Sequence, residues 1–461
     1  MRLAHIHPHH ARRRGFEIDM LNGPVMPKLV AFAVPLILSS VLQLTFNAAD
    51  VIVVGRFEGD AALAAVGAPG PLINLLVNLF LGLSVGVNVV VARWRGAGDY
   101  LQTSQSVHTG VALGLLSGVG VGIVGFAFAG VFLQWMNTTP DVLPLATDYM
   151  RVYFLGMPAN MLYNFGAAIL RAIGDTRRPL MYLTIAGVVN VVLNIVFVAA
   201  LGMGVSGVAL ATIIAQAISA ALVVICLMRT EGSFHLDLRK LRLEGDKVAQ
   251  IARIGLPAGL QGICFSISNV IIQSTVNSFG TIAIAGNTVA SNIENYIYVS
   301  MNAIYQAAIT FVSQNVGAGR LERISRVTRA VLATVTMIGL GLGLLLLAAM
   351  RPLFGIYTAD EAVIAAAAIR SKVIASTYFL CGLMDVMVGV LRGMGASVTP
   401  MVVTLVGVCA FRLIWIAVFY PLNPTLNMLY LSYPISWILT FAAHVICYFI
   451  IKKKLFENAP R

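Results

Sequence analysis

The chain has 461 residues, of which 59% are hydrophobic and only 11% charged, with a mean hydropathy of +0.87. Soluble domains carry about 25% charged residues, so this composition excludes a soluble enzyme and, with apolar runs recurring along its length, describes a polytopic membrane protein. The net charge of +12 does not point to nucleic acid, because the Lys and Arg residues sit in short segments between apolar runs, where they report membrane orientation.

Residues 1–25 open with MRLAHIHPHHARRRGF. They lack an h-region with a cleavage site, so they read as a disordered basic tail and not as a signal peptide. Pro8 interrupts the histidines, which favours tail over metal site. Twelve spans are then predicted, at about 29–54, 62–92, 105–135, 144–170, 179–201, 205–228, 250–278, 283–314, 326–351, 363–391, 400–421 and 427–451. Each reaches the roughly 20 residues that cross a bilayer as a helix, and the longer ones predict tilt or kinks.

The first span carries LTFNAADVIVVGRF, Leu44–Phe57. A carboxylate deep in a span costs a few kcal/mol, so Asp50 needs either a task or a partner. Exchange of a proton for a cation is one reading, and a hydrogen bond to helix backbone or Asn47 is the other. Pro35, Pro158 and Pro257 lie inside spans, where proline kinks a helix or frees a carbonyl, and read as hinges. The segment RTEGSFHLDLRKLRLEGDKV, 229–248, is charged and short, and reads as a cytoplasmic linker between an N-lobe (26–228) and a C-lobe (249–452), with a tail at 453–461. In the second half, Glu294 stands beside Asn292 and Asn295, Asp385 lies in the tenth span, and Arg412 in the eleventh is placed to pair with either acid. Gln261, Tyr163, Phe265, Tyr296, Met301 and Tyr305 are candidates to line a cavity for flat organic molecules, against helix packing or lipid contact as the alternative. The five cysteines lie in or beside apolar runs without close pairing and read as reduced packing residues.

The loops alternate in charge. One set holds RRR at 12–14, Arg93 and Arg95, RAIGDTRR at 171–178, RKLR at 239–242, GRLERISR at 319–326, Arg392 and KKK at 452–454; the other is nearly free of Lys and Arg. The basic set is predicted to be cytoplasmic, which puts both termini inside and is consistent with an even number of spans. The halves also repeat. RWRGAGD at 93–99 matches QNVGAGR at 314–320, and LYNFGAAILRAIGDTRRP at 162–179 matches LMDVMVGVLRGMGASVTP at 383–400, both 221 residues apart. FAVPLILSSV at 32–41 faces IGLPAGLQGI at 254–263 one residue out of that register. Six spans per half imply a parallel repeat: an all-α membrane protein of two six-helix bundles with a cleft between them.

Taken together, NAADVIVVGRF, NFGAAILRAIGDTRRP, NVVLN, GLPAGLQ and QNVGAG resemble the multidrug and toxin extrusion (MATE) family over about residues 25–451, and the DinF-like branch more than the NorM-like one. The resemblance implies export of organic, often cationic and amphipathic compounds from the cell across the inner (plasma) membrane. It implies antiport against H+ or Na+, without other cofactors or a phosphate-binding loop. It places further coupling residues at Asn190, Asn194 and Thr212 beside Asp50. Asn190 and Asn194 share a helix face, and with Asp50 they offer an oxygen set suited to a small cation. Several family members have Asp where this chain has Asn194. Glu294 and Asp385 are the second half's candidates, although Asp385 is shifted by about one turn from the family's acid and occupies the repeat position of Asn164. The expected partners are small amphipathic substrates and the lipid bilayer, with a monomer as the working unit. A lipid-linked precursor flippase is the alternative within transport, but it typically has fourteen spans and a basic central cavity, and neither is visible. A non-transporting scaffold needs neither the repeat nor the buried acids, and no His or Cys constellation supports an enzyme.

Overall fold

In a hydrocarbon layer every backbone N–H and C=O must be satisfied within the chain, and the apolar runs accordingly form helices. The computed structural model describes residues 16–67, 69–136 and 138–457, and no strand occurs among them. The first half comprises α1 (Val25–Phe57), a short helix Gly59–Gly67, α2 (Gly70–Ala97), α3 (Tyr100–Trp135), α4 (Leu143–Leu155 and Met157–Ala172), α5 (Arg177–Ala200) and α6 (Gly204–Arg229). The second comprises α7 (Gly245–Asn277), α8 (Thr281–Gly317), α9 (Leu321–Ala348), α10 (Glu361–Gly393), α11 (Val398–Leu422) and α12 (Leu426–Glu457). Among the described residues ten helices are long and apolar enough to cross a membrane. The remaining two crossings are α4, which breaks at Gly156 ahead of Pro158, and α8, which carries Asn287, Asn292, Glu294, Asn295 and Asn302 along its length.

Of the predicted hinges, Pro158 lies at the broken helix α4, whereas α1 and α7 run unbroken through Pro35 and Pro257. The hydroxyl of Ser39 donates to the Pro35 carbonyl at 2.8 Å. The last turns of α5 (Ile195–Ala200) and two stretches of α11 (Leu405–Ala410 and Trp415–Phe419) are wound more widely than an α-helix.

The repeat is visible in the backbone. Gly98 and Gly319 close α2 and α8 with φ of 73° and 67°, and Gly174 and Gly395 follow α4 and α10 with φ of 93° and 94°. Side chains disfavour this left-handed conformation, so glycine holds these four turns. Each pair is separated by the interval read from the sequence. The same interval relates Gly96 to Gly317. A Cβ on Gly96 would overlap the Gln314 carbonyl, and one on Gly317 would overlap the Arg93 carbonyl, so α2 and α8 cross in reciprocal contact.

The halves meet along two further lines. On one side α2 lies on α7 through Gly82, Gly86, Gly255 and Gly259, where a Cβ on Gly255 would come 2.6 Å from the Leu83 Cα. Glycines spaced four apart on both helices allow this backbone approach. On the other side α1 meets α8 through Phe32 and Phe311, edge to face at 5.7 Å.

The segment ahead of α1 is packed on the basic-loop end of both halves. The Ile18 N–H donates to the Gly174 carbonyl at 3.3 Å, Asn315 donates to the buried Met20 carbonyl at 3.3 Å, and Arg320 and Arg323 donate to the carbonyls of Leu21 and Gly23 at 2.6 and 2.8 Å. Of the tail expected over 1–25, residues 1–15 lie outside the described residues, while 16–24 form this packed segment. Of the tail expected over 453–461, residues 453–457 continue α12 and 458–461 lie outside the described residues. The segment joining the halves is docked on α3, with the Asp237 N–H donating to His108 Nε2 at 3.1 Å and the Glu244 N–H to Thr109 Oγ1 at 3.3 Å.

Candidate functional site

Two polar centres lie inside the bundle, one in each half. In the first half, the ring of Phe46 in α1 fills the space over Gly187 in α5. This contact sets Asp50, one turn further along α1, against the polar face of α5. Asn194 Nδ2 donates to Asp50 Oδ1 and lies 3.4 Å from Asn190 Oδ1, while Asn190 Nδ2 donates to Thr212 Oγ1 at 3.4 Å. The Thr212 hydroxyl donates to the Val208 carbonyl at 3.0 Å. The four residues placed together by the family resemblance therefore form one connected cluster on three helices. Asn194 Oδ1 is buried without a hydrogen-bond partner, an oxygen acceptor left over beside a carboxylate. This donor set suits a proton or a small hard cation. The wide turns of α5 begin directly after Asn194, and such turns recur at functional sites.

In the second half a cavity of about 640 Å³ opens between α7, α8, α10, α11 and α12, with Asn78 of α2 at its edge. Gln261, Phe265, Glu294, Tyr305 and Asp385 line it, so five of the second half's seven candidates converge there. The other two, and Tyr163, are elsewhere. Tyr163 lies in the first half and donates its hydroxyl to the Pro179 carbonyl at 3.3 Å. Met301 packs its sulfur against Gly339 and Gly382. Tyr296 is a half-buried residue of α8 outside the cavity lining.

Glu294 is buried and paired. Arg370 Nε and Nη2 both lie 2.9 Å from Glu294 Oε2, and the Ser371 hydroxyl donates to Oε1 at 3.0 Å. Arg370 also donates to Asn287 Oδ1 at 2.8 Å, which accepts from the Tyr430 hydroxyl at 3.1 Å. The partner expected from the sequence was Arg412, and the structure corrects this. Among the described residues Arg412 makes no ion pair with Glu294 or Asp385. Its Nε donates to Ser436 Oγ at 3.2 Å, and its guanidinium lies over Tyr433, 4.1 Å from the ring centroid. At the other end of the cavity, Arg392 donates to Gln261 Oε1 at 2.8 Å and to the Tyr305 hydroxyl.

Sequence reading missed Arg370 and took Arg392 for a loop cation. The available signal was the position of Arg370 inside a predicted span, where any ionisable residue marks a site; Arg392 stands one residue past the predicted end of that span. The expectation that no basic cavity exists also fails for this half, since three arginines and two acids line it.

Two repeated six-helix halves, a carboxylate–amide cluster inside one and a polar cavity inside the other, describe a multi-pass membrane transporter. The chain belongs to the MatE family of multidrug efflux transporters: the family's sequence model matches residues 35–196 and again 257–418, once in each half. The probable multidrug resistance protein YpnP of Bacillus subtilis (strain 168) is 26% identical over 408 residues, covering 87% of this chain and 90% of that protein. The FAD transporter of Shewanella oneidensis is 25% identical over 312 residues, covering 66% of this chain and 68% of that one. A crystal structure of a MATE transporter in a bent conformation shares the fold, with a TM-score of 0.86 at 21% identity, covering 95% of this chain and 97% of that chain.

Proposed function

We propose that this chain is a secondary active exporter of the plasma membrane, with both termini cytoplasmic, that exchanges amphipathic organic compounds for H+ or Na+ as a monomer. The observation that carries this reading is the separation of the two centres. The Asp50 cluster does not line the second-half cavity, so ion and substrate have sites of their own and communicate through the fold. Binding of H+ or Na+ at Asp50 changes the hydrogen bonds that join α1 to α5 and α6. Those helices belong to the half that moves against the cavity, which is what alternating access requires. The relatives are named for different cargoes, multidrug resistance in one and FAD in the other, so the substrate class has to be argued from this chain's own cavity.

The test is transport by purified protein in liposomes under an imposed pH or Na+ gradient, with a fluorescent aromatic probe. Wild type is expected to move the probe only while the gradient lasts, and Asp50→Asn to fall to the gradient-free baseline. Flux that ignores the gradient removes antiport; undiminished flux in Asp50→Asn removes the coupling role.

A further inference from the structure

We propose that the second-half cavity selects organic anions, molecules with a flat aromatic body and a carboxylate or phosphate group, with Arg412 as the anchoring charge. This rests on the reading of the cavity as the substrate site and departs from the cationic cargo that the family resemblance implies.

The charges come first. Arg370, Arg392 and Arg412 line the cavity together with Glu294 and Asp385, so its lining is net positive whether or not Asp385 is ionised. Glu294 is already satisfied by Arg370 and Ser371. Asp385 stands two turns from Arg392 on the same helix. Arg412 has no such compensation. It is 2% exposed, lines the cavity, donates to a serine hydroxyl and lies against the faces of Tyr433 and Trp437, and among the described residues it forms no ion pair. Arg392 is 4% exposed, and its Nε is buried without a partner. A buried charge without a counter-charge is strongly unfavourable. An arriving oxyanion supplies the missing partner, in the planar geometry a guanidinium prefers.

The repeat supplies an independent argument. In α1 and α7 the copies lie 222 residues apart, as Pro35 and Pro257 do, and the two family matches begin at these residues. In that register Asn47 faces Asn269, Phe57 faces Phe279 and Asp50 faces Ile272. The carboxylate of the first-half cluster is thus replaced by isoleucine, and in the 221-residue interval that holds after α4 and α10 Asn190 faces Phe411. The second half therefore keeps no counterpart of the cation cluster. The walls fit the rest of the ligand: Phe265, Tyr298, Tyr378 and Trp437 offer faces for stacking, and Asn269 and Asn295 offer amide donors. The volume falls within the range of drug-sized sites.

The test is fluorescence anisotropy on the full-length protein in detergent, without any ion gradient, using carboxyfluorescein as the anion and ethidium as the cation. Wild type is expected to bind carboxyfluorescein the more tightly. Arg412→Gln is expected to weaken carboxyfluorescein by about tenfold or more, as for loss of a charge-assisted contact, and to leave ethidium unweakened. Arg412→Lys should restore part of the loss. If Arg412→Gln does not fold, Asn295→Asp decides the matter: it adds a negative charge at the cavity wall and should weaken the anion while strengthening the cation. Tighter binding of ethidium by wild type, or equal effects of these variants on both probes, overturns the proposal. Anion binding that persists in a protein inactive in liposomes defeats the exporter reading and leaves this one standing.

Discussion

Glu294 shows how far a single residue can be read before its neighbours are known. Its place inside a span marked it as costly, but the residue that satisfies it, Arg370, stands 76 positions away on another helix, a distance that no local pattern encodes. The Asp50 cluster was more legible, because motif resemblance placed Asn190, Asn194 and Thr212 beside it, and Asn190 and Asn194 lie four apart on one face. Arg412 shows the limit of such reading: charge complementarity alone paired it with an acid, whereas packing put it on aromatic rings. The Glu294–Arg370 pair makes a direct prediction. Glu294→Gln or Arg370→Gln alone strands a buried charge and should cost about 3–5 kcal/mol. The double variant removes both charges and should recover a substantial part of that loss. Thermal unfolding in detergent checks this, and a double variant as unstable as the sum of the singles refutes it.

At the scale of helices, existence and order were legible because spanning length is a strong signal, and the break in α4 follows from Gly156 and Pro158. What sequence did not reveal is which helices touch by backbone. GLSVG at 82–86 and GLPAG at 255–259 both carry glycines four apart, yet nothing local says that they face each other. Contacts made by backbone have little room to yield. Gly82→Ala and Gly255→Ala should therefore each destabilise by about 1–3 kcal/mol, as overpacking does, and should impair transport. Gly120→Ala in α3, where nothing lies within 4 Å, should leave melting temperature and flux unchanged. Comparable losses in all three would show that the α2–α7 line is not tightly packed.

For the whole molecule, the segment 16–24 was the least legible part. It docks through its own main chain, the Ile18 N–H and the carbonyls of Met20, Leu21 and Gly23, groups that every sequence has, so its composition gave no sign of docking. It joins the Gly174 turn of the first half to Arg320 and Arg323 of the second. Replacing both arginines by alanine should accelerate amide hydrogen exchange across 16–24 and leave that of mid-α3 unchanged, as mass spectrometry can read; protection identical to wild type would show that the segment is held by other means.

The glycine line between α2 and α7 has a mechanical consequence. Where main chain rests on main chain there are few interlocked side chains to disengage, so the two bodies can roll there with little loss of contact. In the alternating access proposed above, the aromatic edge of Phe32 against Phe311 is the contact that would part. The molecule is thus bound like a book, with its spine along α2 and α7, its pages parting between α1 and α8, and the peptide ahead of α1 as the clasp on the fore-edge.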